Sequence, residues 1–184
     1  MGCGVSAALL PGVGSALPPD SKKAGLTEKE KILVRRNWKR LSCDLTERGA
    51  KVFLRIFSDN PNVKLLFPFK DLDGEELTKD VNFRGHASRF MQAVGAVVDN
   101  IDDFEQSLAP LLNALGQKHV HFKGFTPAHF NAFQDAMLAV WTEDLGGKLS
   151  PDGREAWVKV LGFIMRELKR GYSQAEEQQR SAQT

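Results

Sequence analysis

Apolar residues recur along most of this 184-residue chain at spacings of three and four, the spacing that keeps them on one face of a helix. No segment alternates with period two, as a half-buried strand would. Gly and Pro, which interrupt helices, fall between the stripes. The pattern predicts an all-α domain of about six main helices between Thr27 and about Tyr172. The stripes begin at Val34, Gly49, Phe83, Leu108, Phe130 and Trp157.

Both ends of the predicted domain are marked by a change of composition. Thr27 is followed three residues later by Glu30, the spacing of a capping box, which predicts that the first helix starts there. Residues 1–26 are rich in Pro, Gly, Ala and Ser without periodicity, which indicates a flexible arm. Residues 173–184 lack the apolar stripe and are predicted to form a polar C-terminal tail.

Charge and cysteine content exclude several classes of protein. The chain has 25 Lys and Arg against 23 Asp and Glu, a net charge of +2, so a nucleic-acid partner held by bulk charge is not expected. Two cysteines, Cys3 and Cys43, are too few for a disulfide scaffold and favour a reducing compartment. We expect neither a membrane-spanning helix nor a secretory signal, because no apolar run is long enough and no basic residue precedes the first one.

Two of the four histidines are predicted to face the core. His86 lies beside the apolar stripe of its helix. His119 continues a stripe of leucines that is predicted to face the core: Leu108, Leu111, Leu112 and Leu115. A buried histidine is more often structural than a ligand, so two structural histidines remain one interpretation. Zinc would need a third ligand, and neither cysteine nor an H-E-x-x-H pattern lies near this pair. Haem needs only axial ligands and an apolar slot. The chain has 12 Phe, and seven of them are concentrated around the two histidine segments, where they would supply such a slot: Phe67, Phe69, Phe90, Phe122, Phe125, Phe130 and Phe133.

The pattern of these residues resembles the globin family. A Trp in the first helix, a Pro opening a short third helix, a Phe just beyond it and two histidines 33 residues apart match Trp38, Pro61, Phe67, His86 and His119. The resemblance extends over essentially the whole domain. It implies a helical sandwich around a pocket for haem b, with helices crossing at about 50°.

The resemblance also implies a role for individual residues. His119 would be the proximal iron ligand, His86 the distal histidine, and Arg89 the partner of a haem propionate. The apolar contacts of the cofactor would come from Phe53 and Phe90 on the distal side, Phe67 against the porphyrin, and Leu115, Phe125 and Phe130 on the proximal side.

Within the family, the chain is most similar to globin X, a membrane-associated vertebrate globin, and next to cytoglobin and neuroglobin. This similarity implies a six-coordinate haem held by His86 and His119. The implied function is reversible binding of O₂, NO or CO with a redox role. An alternative is an NO dioxygenase or nitrite reductase that needs an external reductase, because the chain carries no flavin or nicotinamide motif. A different class, a non-haem helical adaptor anchored by lipid, also stays open.

The amino terminus, Met1-Gly2-Cys3-Gly4-Val5-Ser6, matches the pattern for N-myristoylation. Myristate on Gly2 binds membranes only weakly, at about 10⁴ M⁻¹, and palmitate on the adjacent Cys3 would supply the second signal. The motif predicts attachment to the cytoplasmic face of a membrane, and we expect this to be the plasma membrane. Cys43 would then remain a free thiol.

Overall fold

The computed structural model describes residues 25–182, and within them the chain is all-α, as predicted. Nine α-helices and three short 3₁₀ turns account for the described elements, and six of the helices are ten residues or longer. The helices are α1 (Glu28–Leu41), α2 (Leu45–Asp59), α3 (Pro61–Lys64), α4 (Gly74–Lys79), α5 (Val81–Asp99), α6 (Phe104–Ser107), α7 (Ala109–Lys118), α8 (His129–Leu145) and α9 (Pro151–Ser181). The 3₁₀ turns are Ser42–Asp44, His119–His121 and Gly146–Lys148.

The first helix begins where the capping box predicts. The Thr27 hydroxyl accepts from the Glu30 amide at 3.3 Å, and the Glu30 carboxylate accepts from the Thr27 amide at 2.8 Å. Leu26, which the sequence places in the flexible arm, is buried at 8% exposure and belongs to the core. The domain therefore starts one residue earlier than predicted, because the residue before the cap packs inward. Gly2 and Cys3 lie outside the described residues.

The last helix continues beyond the predicted domain boundary. Burial ends at Tyr172, but α9 runs through Ser181, so most of the predicted polar tail is helical. No Gly or Pro follows Gly171, and the Gln, Glu, Ala and Arg residues there favour helix, which carries α9 past its last apolar contact. Arg180 and Glu176 add an ion pair at 3.0 Å. None of the helices in residues 25–182, α9 included, combines the length and apolar character needed to span a membrane.

Three glycines allow pairs of helices to pack backbone against backbone. A Cβ atom at Gly49 in α2 would overlap the carbonyl oxygen of Ala87 in α5. Between α7 and α9 the fit is reciprocal: a Cβ at Gly116 would overlap the Leu168 carbonyl, and a Cβ at Gly171 would overlap the Asn113 carbonyl. The α7/α9 crossing fixes the helix that leads directly into His119.

We expect Gly171→Ala to lower the free energy of unfolding by about 1–3 kcal/mol, because the new methyl group forces two backbones apart in a packed core. Gly162→Ala is the matched control in the same helix. No neighbouring atom lies within 4 Å of the position that its methyl group would take, so the control should be stabilised by about 0.5–1 kcal/mol through helix propensity. Urea unfolding of both variants measures the difference. Equal stability of the two would contradict the close crossing.

Candidate functional site

Two adjoining cavities lie between α5, α7 and α8, each with a volume of about 210 Å³. Both are lined by His86, Arg89, His119 and Phe133. His86 is in α5, and His119 opens the turn that follows α7. The structure thus brings the two histidines singled out in the sequence, from different helices, to one shared space.

The orientation of His119 is fixed by a hydrogen bond to the preceding helical turn. Its Nδ1 lies 2.8 Å from the Leu115 carbonyl oxygen. Because a carbonyl only accepts, Nδ1 carries the proton, and in the neutral ring Nε2 keeps its lone pair. Burial lowers the pKa of His119 below its usual value, although the Leu115 bond opposes this. A neutral imidazole held at Nδ1 and free at Nε2 is the usual arrangement of a metal-ligating histidine.

His86 lies among aromatic rings. Its ring centroid is 4.9 Å from that of Phe53 and 5.1 Å from that of Phe67. Burial, followed by the nearby charges of Arg89 and His119, lowers the pKa of His86 to about 4. Within the described residues no hydrogen bond engages its imidazole. His86 is therefore neutral at physiological pH and has a lone pair available for a ligand in the cavity.

The low pKa of His86 predicts a stability that depends on pH. In the unfolded chain the pKa is about 6.5, so below that pH the unfolded state binds a proton that the folded state does not bind until about pH 4. The free energy of unfolding of the ligand-free protein should therefore fall as pH decreases. We expect this histidine to contribute a loss of about 2 kcal/mol between pH 8 and pH 5. Urea unfolding of the wild type and of His86→Leu across this pH range measures the contribution. If the free energy of unfolding falls equally with decreasing pH in both, His86 is not the source of the loss.

Aromatic side chains form the walls on both sides of the histidine pair. Phe53 is fully buried behind His86 and also contacts Phe90 at 5.3 Å. On the other side the centroids of Phe125 and Phe130 lie 4.9 Å and 5.1 Å from that of His119. Apolar walls of this kind exclude water and suit a flat, apolar ligand.

Eight of the nine residues predicted to bind the cofactor line one or both cavities, and Phe53 instead lies behind His86. Arg89 is exposed at the cavity edge, and its guanidinium lies 3.3 Å from the Cβ position of Gly85. Leu115 is 36% exposed and lines the cleft between α5 and α7. The prediction that Leu111 faces the core is wrong, since it is 55% exposed: α7 packs on α9 through Leu112 and Gly116 and turns Leu111 away.

Some lining residues were not among the nine assigned to the cofactor, although Phe69, Phe122 and Phe133 belong to the phenylalanines that the sequence concentrates near the histidines. Phe133 lines both cavities and contacts Phe53 and Phe90 at 5.3 Å and 5.6 Å. Its position in the α8 stripe predicts that Phe133 is buried. Whether it faces the cavities or another part of the core depends on how α8 packs against the other helices, which the stripe does not show. The other lining residues come from the loop after α3, from α5, α7, α8 and α9, and from the end of the turn that His119 opens: Leu66, Pro68, Phe69, Asn82, Ala93, Val94, Leu112, Phe122, Met137, Ile164, Met165 and Leu168.

The side chains present fit a haem group. Two neutral imidazoles share the cavities, apolar rings flank them, and the Arg89 cation lies at the edge, where haem carboxylates would need a partner. A metal ion bound by protein groups alone fits poorly, because among the described residues no three His, Cys, Asp or Glu side chains converge. Haem brings four nitrogen ligands of its own, so His86 and His119 would be sufficient as protein ligands of its iron.

Comparison with known proteins agrees with this geometry. The family model "Globin" matches residues 50–168. Cytoglobin-1 of Oryzias latipes is 27% identical over 151 residues, which cover 81% of this chain and 85% of that protein. Hemoglobin subunit alpha-D of Coturnix japonica is 30% identical over 140 residues, covering 76% and 93%.

A solved structure shares the fold. It is described as a hexacoordinated heme protein from an anhydrobiotic tardigrade at pH 4, and it matches with a TM-score of 0.75 and 21% identity over 80% of this chain and 96% of that one. The finer resemblance to globin X stays a prediction. The helical architecture, the His86 and His119 pair and the family match together show that this chain belongs to the globin family.

Proposed function

We propose that this protein is a six-coordinate haem globin in which His86 and His119 are the two axial ligands of haem b. One observation carries the proposal: two neutral imidazoles from different helices line the same apolar cavities. His119 has its Nδ1 committed to Leu115, and His86 has no hydrogen-bonding partner among the described residues. Both rings therefore offer nitrogen lone pairs to one cofactor.

Each residue of the site has a task in this function. When bound, the haem iron supplies reversible binding of a diatomic gas and exchange of one electron. His119 would hold the iron through Nε2, which its fixed tautomer leaves free, and Arg89 would offer a charged partner to a haem carboxylate at the cavity edge. His86 must move aside before an external ligand can bind. Phe53, Phe90 and Phe133 crowd the space beside it and restrict that movement.

We infer from this crowding a role in redox chemistry or controlled entry of O₂, NO or CO, rather than bulk oxygen storage. When a side chain such as His86 competes for the iron, the apparent affinity for a gas equals the affinity of the open site multiplied by the fraction of molecules in which the site is open. If about 1% of molecules have His86 displaced, the affinity falls about 100-fold. Electron exchange needs no open coordination position, so occupation of the iron by His86 would not slow it in the way that it weakens gas binding.

Titration of the purified chain with haemin tests haem binding itself. We expect one equivalent to bind with a sharp Soret band, and the reduced form to show the narrow visible bands of bis-histidine coordination. A chain that purifies without iron and binds no haemin would overturn the proposal and favour a helical adaptor.

We propose further that the protein is held at the cytoplasmic face of a membrane by myristate on Gly2 and palmitate on Cys3. The support is the sequence motif and the pairing of two lipid signals, since one alone binds marginally. Labelling of cells with alkynyl fatty acids tests each site. Gly2→Ala should abolish myristate labelling and release the protein from membranes, and Cys3→Ser should remove only the palmitate label while weakening membrane retention. Membrane retention unchanged in both variants would contradict the anchor.

A further inference from the structure

Four cations in or next to segments that line the cavities make no ion pair with any described residue: Lys70, Arg89, Lys118 and Lys123. All four are exposed. Elsewhere in the described residues many surface cations are paired, as Lys64 is with Asp73 at 2.5 Å and Arg84 with Glu47 at 2.6 Å. The opening is therefore a region of uncompensated positive charge on a chain whose net charge is only +2.

Two of the segments that flank the opening contain no acidic residue. No Asp or Glu occurs in 81–98, which covers nearly all of α5, or in 106–134, which includes α7 and the turn after His119. On the remaining side four acidic residues follow Lys70, namely Asp71, Asp73, Glu75 and Glu76, and two of them are paired: Asp73 with Lys64 and Glu75 with Lys79. Positive charge thus dominates the sides of the opening that α5 and the segment 106–134 form.

Local contacts place the four cations around one patch. Arg89 and Lys118 line the same cleft between α5 and α7. Lys70 and Lys123 directly follow Phe69 and Phe122, which both line the cavity that contains the histidines. A Cβ at Gly124 would lie 3.4 Å from the Leu66 side chain, so the two loops that carry these lysines touch.

The centre of the patch is apolar. Phe122 is 53% exposed and its ring lies 5.6 Å from that of His119, while Leu65 is 64% exposed. An apolar centre surrounded by charged groups is the usual anatomy of a protein docking surface. A cationic rim selects a partner with an acidic face and speeds its approach.

We propose that this patch, Leu65, Lys70, Arg89, Lys118, Phe122 and Lys123, is the docking surface for an acidic electron-transfer protein. The inference rests on the proposed haem function, because the patch surrounds the edge through which the cofactor would be reached. In the reaction one electron passes from the reduced partner to the ferric iron, which becomes ferrous, and no bond of the chain forms or breaks. The patch favours an electron-transfer protein over a lipid surface, because its exposed Phe122 ring lies 5.6 Å from the His119 ring, so that a partner docked there would come close to the cofactor.

The test uses the full chain produced without acyl groups and oxidised flavodoxin as an acidic electron-transfer probe. Isothermal titration at low ionic strength should show binding that weakens about tenfold between 10 and 200 mM salt. Lys70→Gln combined with Lys123→Gln should weaken binding about tenfold, with the Soret band unchanged. Reduction of the ferric chain by flavodoxin hydroquinone should slow in parallel, whereas electron exchange with basic cytochrome c should not.

Arg36→Gln combined with Lys39→Gln is the matched control, because it removes two exposed cations of α1 that line none of the three cavities. This variant should bind flavodoxin like the wild type. Equal weakening in both double variants, or binding independent of salt, would overturn the proposal. So would a Lys70/Lys123 variant that loses binding to phosphatidylserine vesicles but keeps binding to flavodoxin. A chain without a Soret band would instead count against the haem function.

Discussion

Substitution of His86 by Leu is expected to raise the apparent affinity of the reduced protein for CO by about 100-fold. Under the proposed function, His86 would occupy the coordination position that CO needs in the wild type, so only molecules in which it has moved aside could bind CO. Leucine has no lone pair, so the position is open in every molecule. Stopped-flow mixing with CO and equilibrium titration measure the two affinities.

His121→Leu is the control for this substitution. His121 is exposed, in the same turn as His119, and lines neither histidine-containing cavity. It should bind CO like the wild type. An affinity that rises less than about threefold in His86→Leu would show that His86 does not compete for the iron.

His119→Ala is expected to weaken haem binding on the order of 100-fold, which corresponds to about 2.7 kcal/mol. The substitution removes the imidazole whose Nδ1 is held by the Leu115 carbonyl, and the alanine side chain offers no ligand. The rate at which haem transfers to an excess of an apoglobin acceptor measures the loss. Free imidazole in the buffer should fill the space left by the side chain and slow the transfer again.

The control is His121→Ala, which changes a histidine two residues away in the same turn. It should release haem at the wild-type rate, and its helix content by circular dichroism should match that of His119→Ala. If haem loss in His119→Ala remains as slow as in the control, His119 is not the proximal ligand.

Local signals in the sequence predicted much of the fold. The capping box at Thr27 and the stripes of α2, α5, α8 and α9 depend on neighbours within one helix, so they are visible in the sequence. The close crossing at Gly116 and Gly171 is different, because it requires two helices that are far apart in the chain to meet. The extension of α9 to Ser181 was missed because an apolar stripe reports burial, whereas helix can continue on propensity alone.

The sequence predicted the two candidate iron ligands of the site more completely than the apolar residues that line its cavities. His86 and His119 follow from their places in helical stripes and from the family resemblance. Phe133 was counted among the phenylalanines near the histidines but was assigned no contact with the cofactor, because only the packing of α8 turns this stripe residue to the cavities. The cations of the docking patch were not predicted, because the net charge of +2 sums over the whole chain and includes acidic residues that lie elsewhere on the surface.

The electron paramagnetic resonance spectrum of the ferric, haem-loaded chain, recorded without added ligand, tests the central claim most directly. Two histidine ligands predict a low-spin signal from nearly all of the iron. In His86→Leu that signal should give way to a high-spin one. A wild-type protein that is high-spin at neutral pH would contradict coordination of the iron by both His86 and His119.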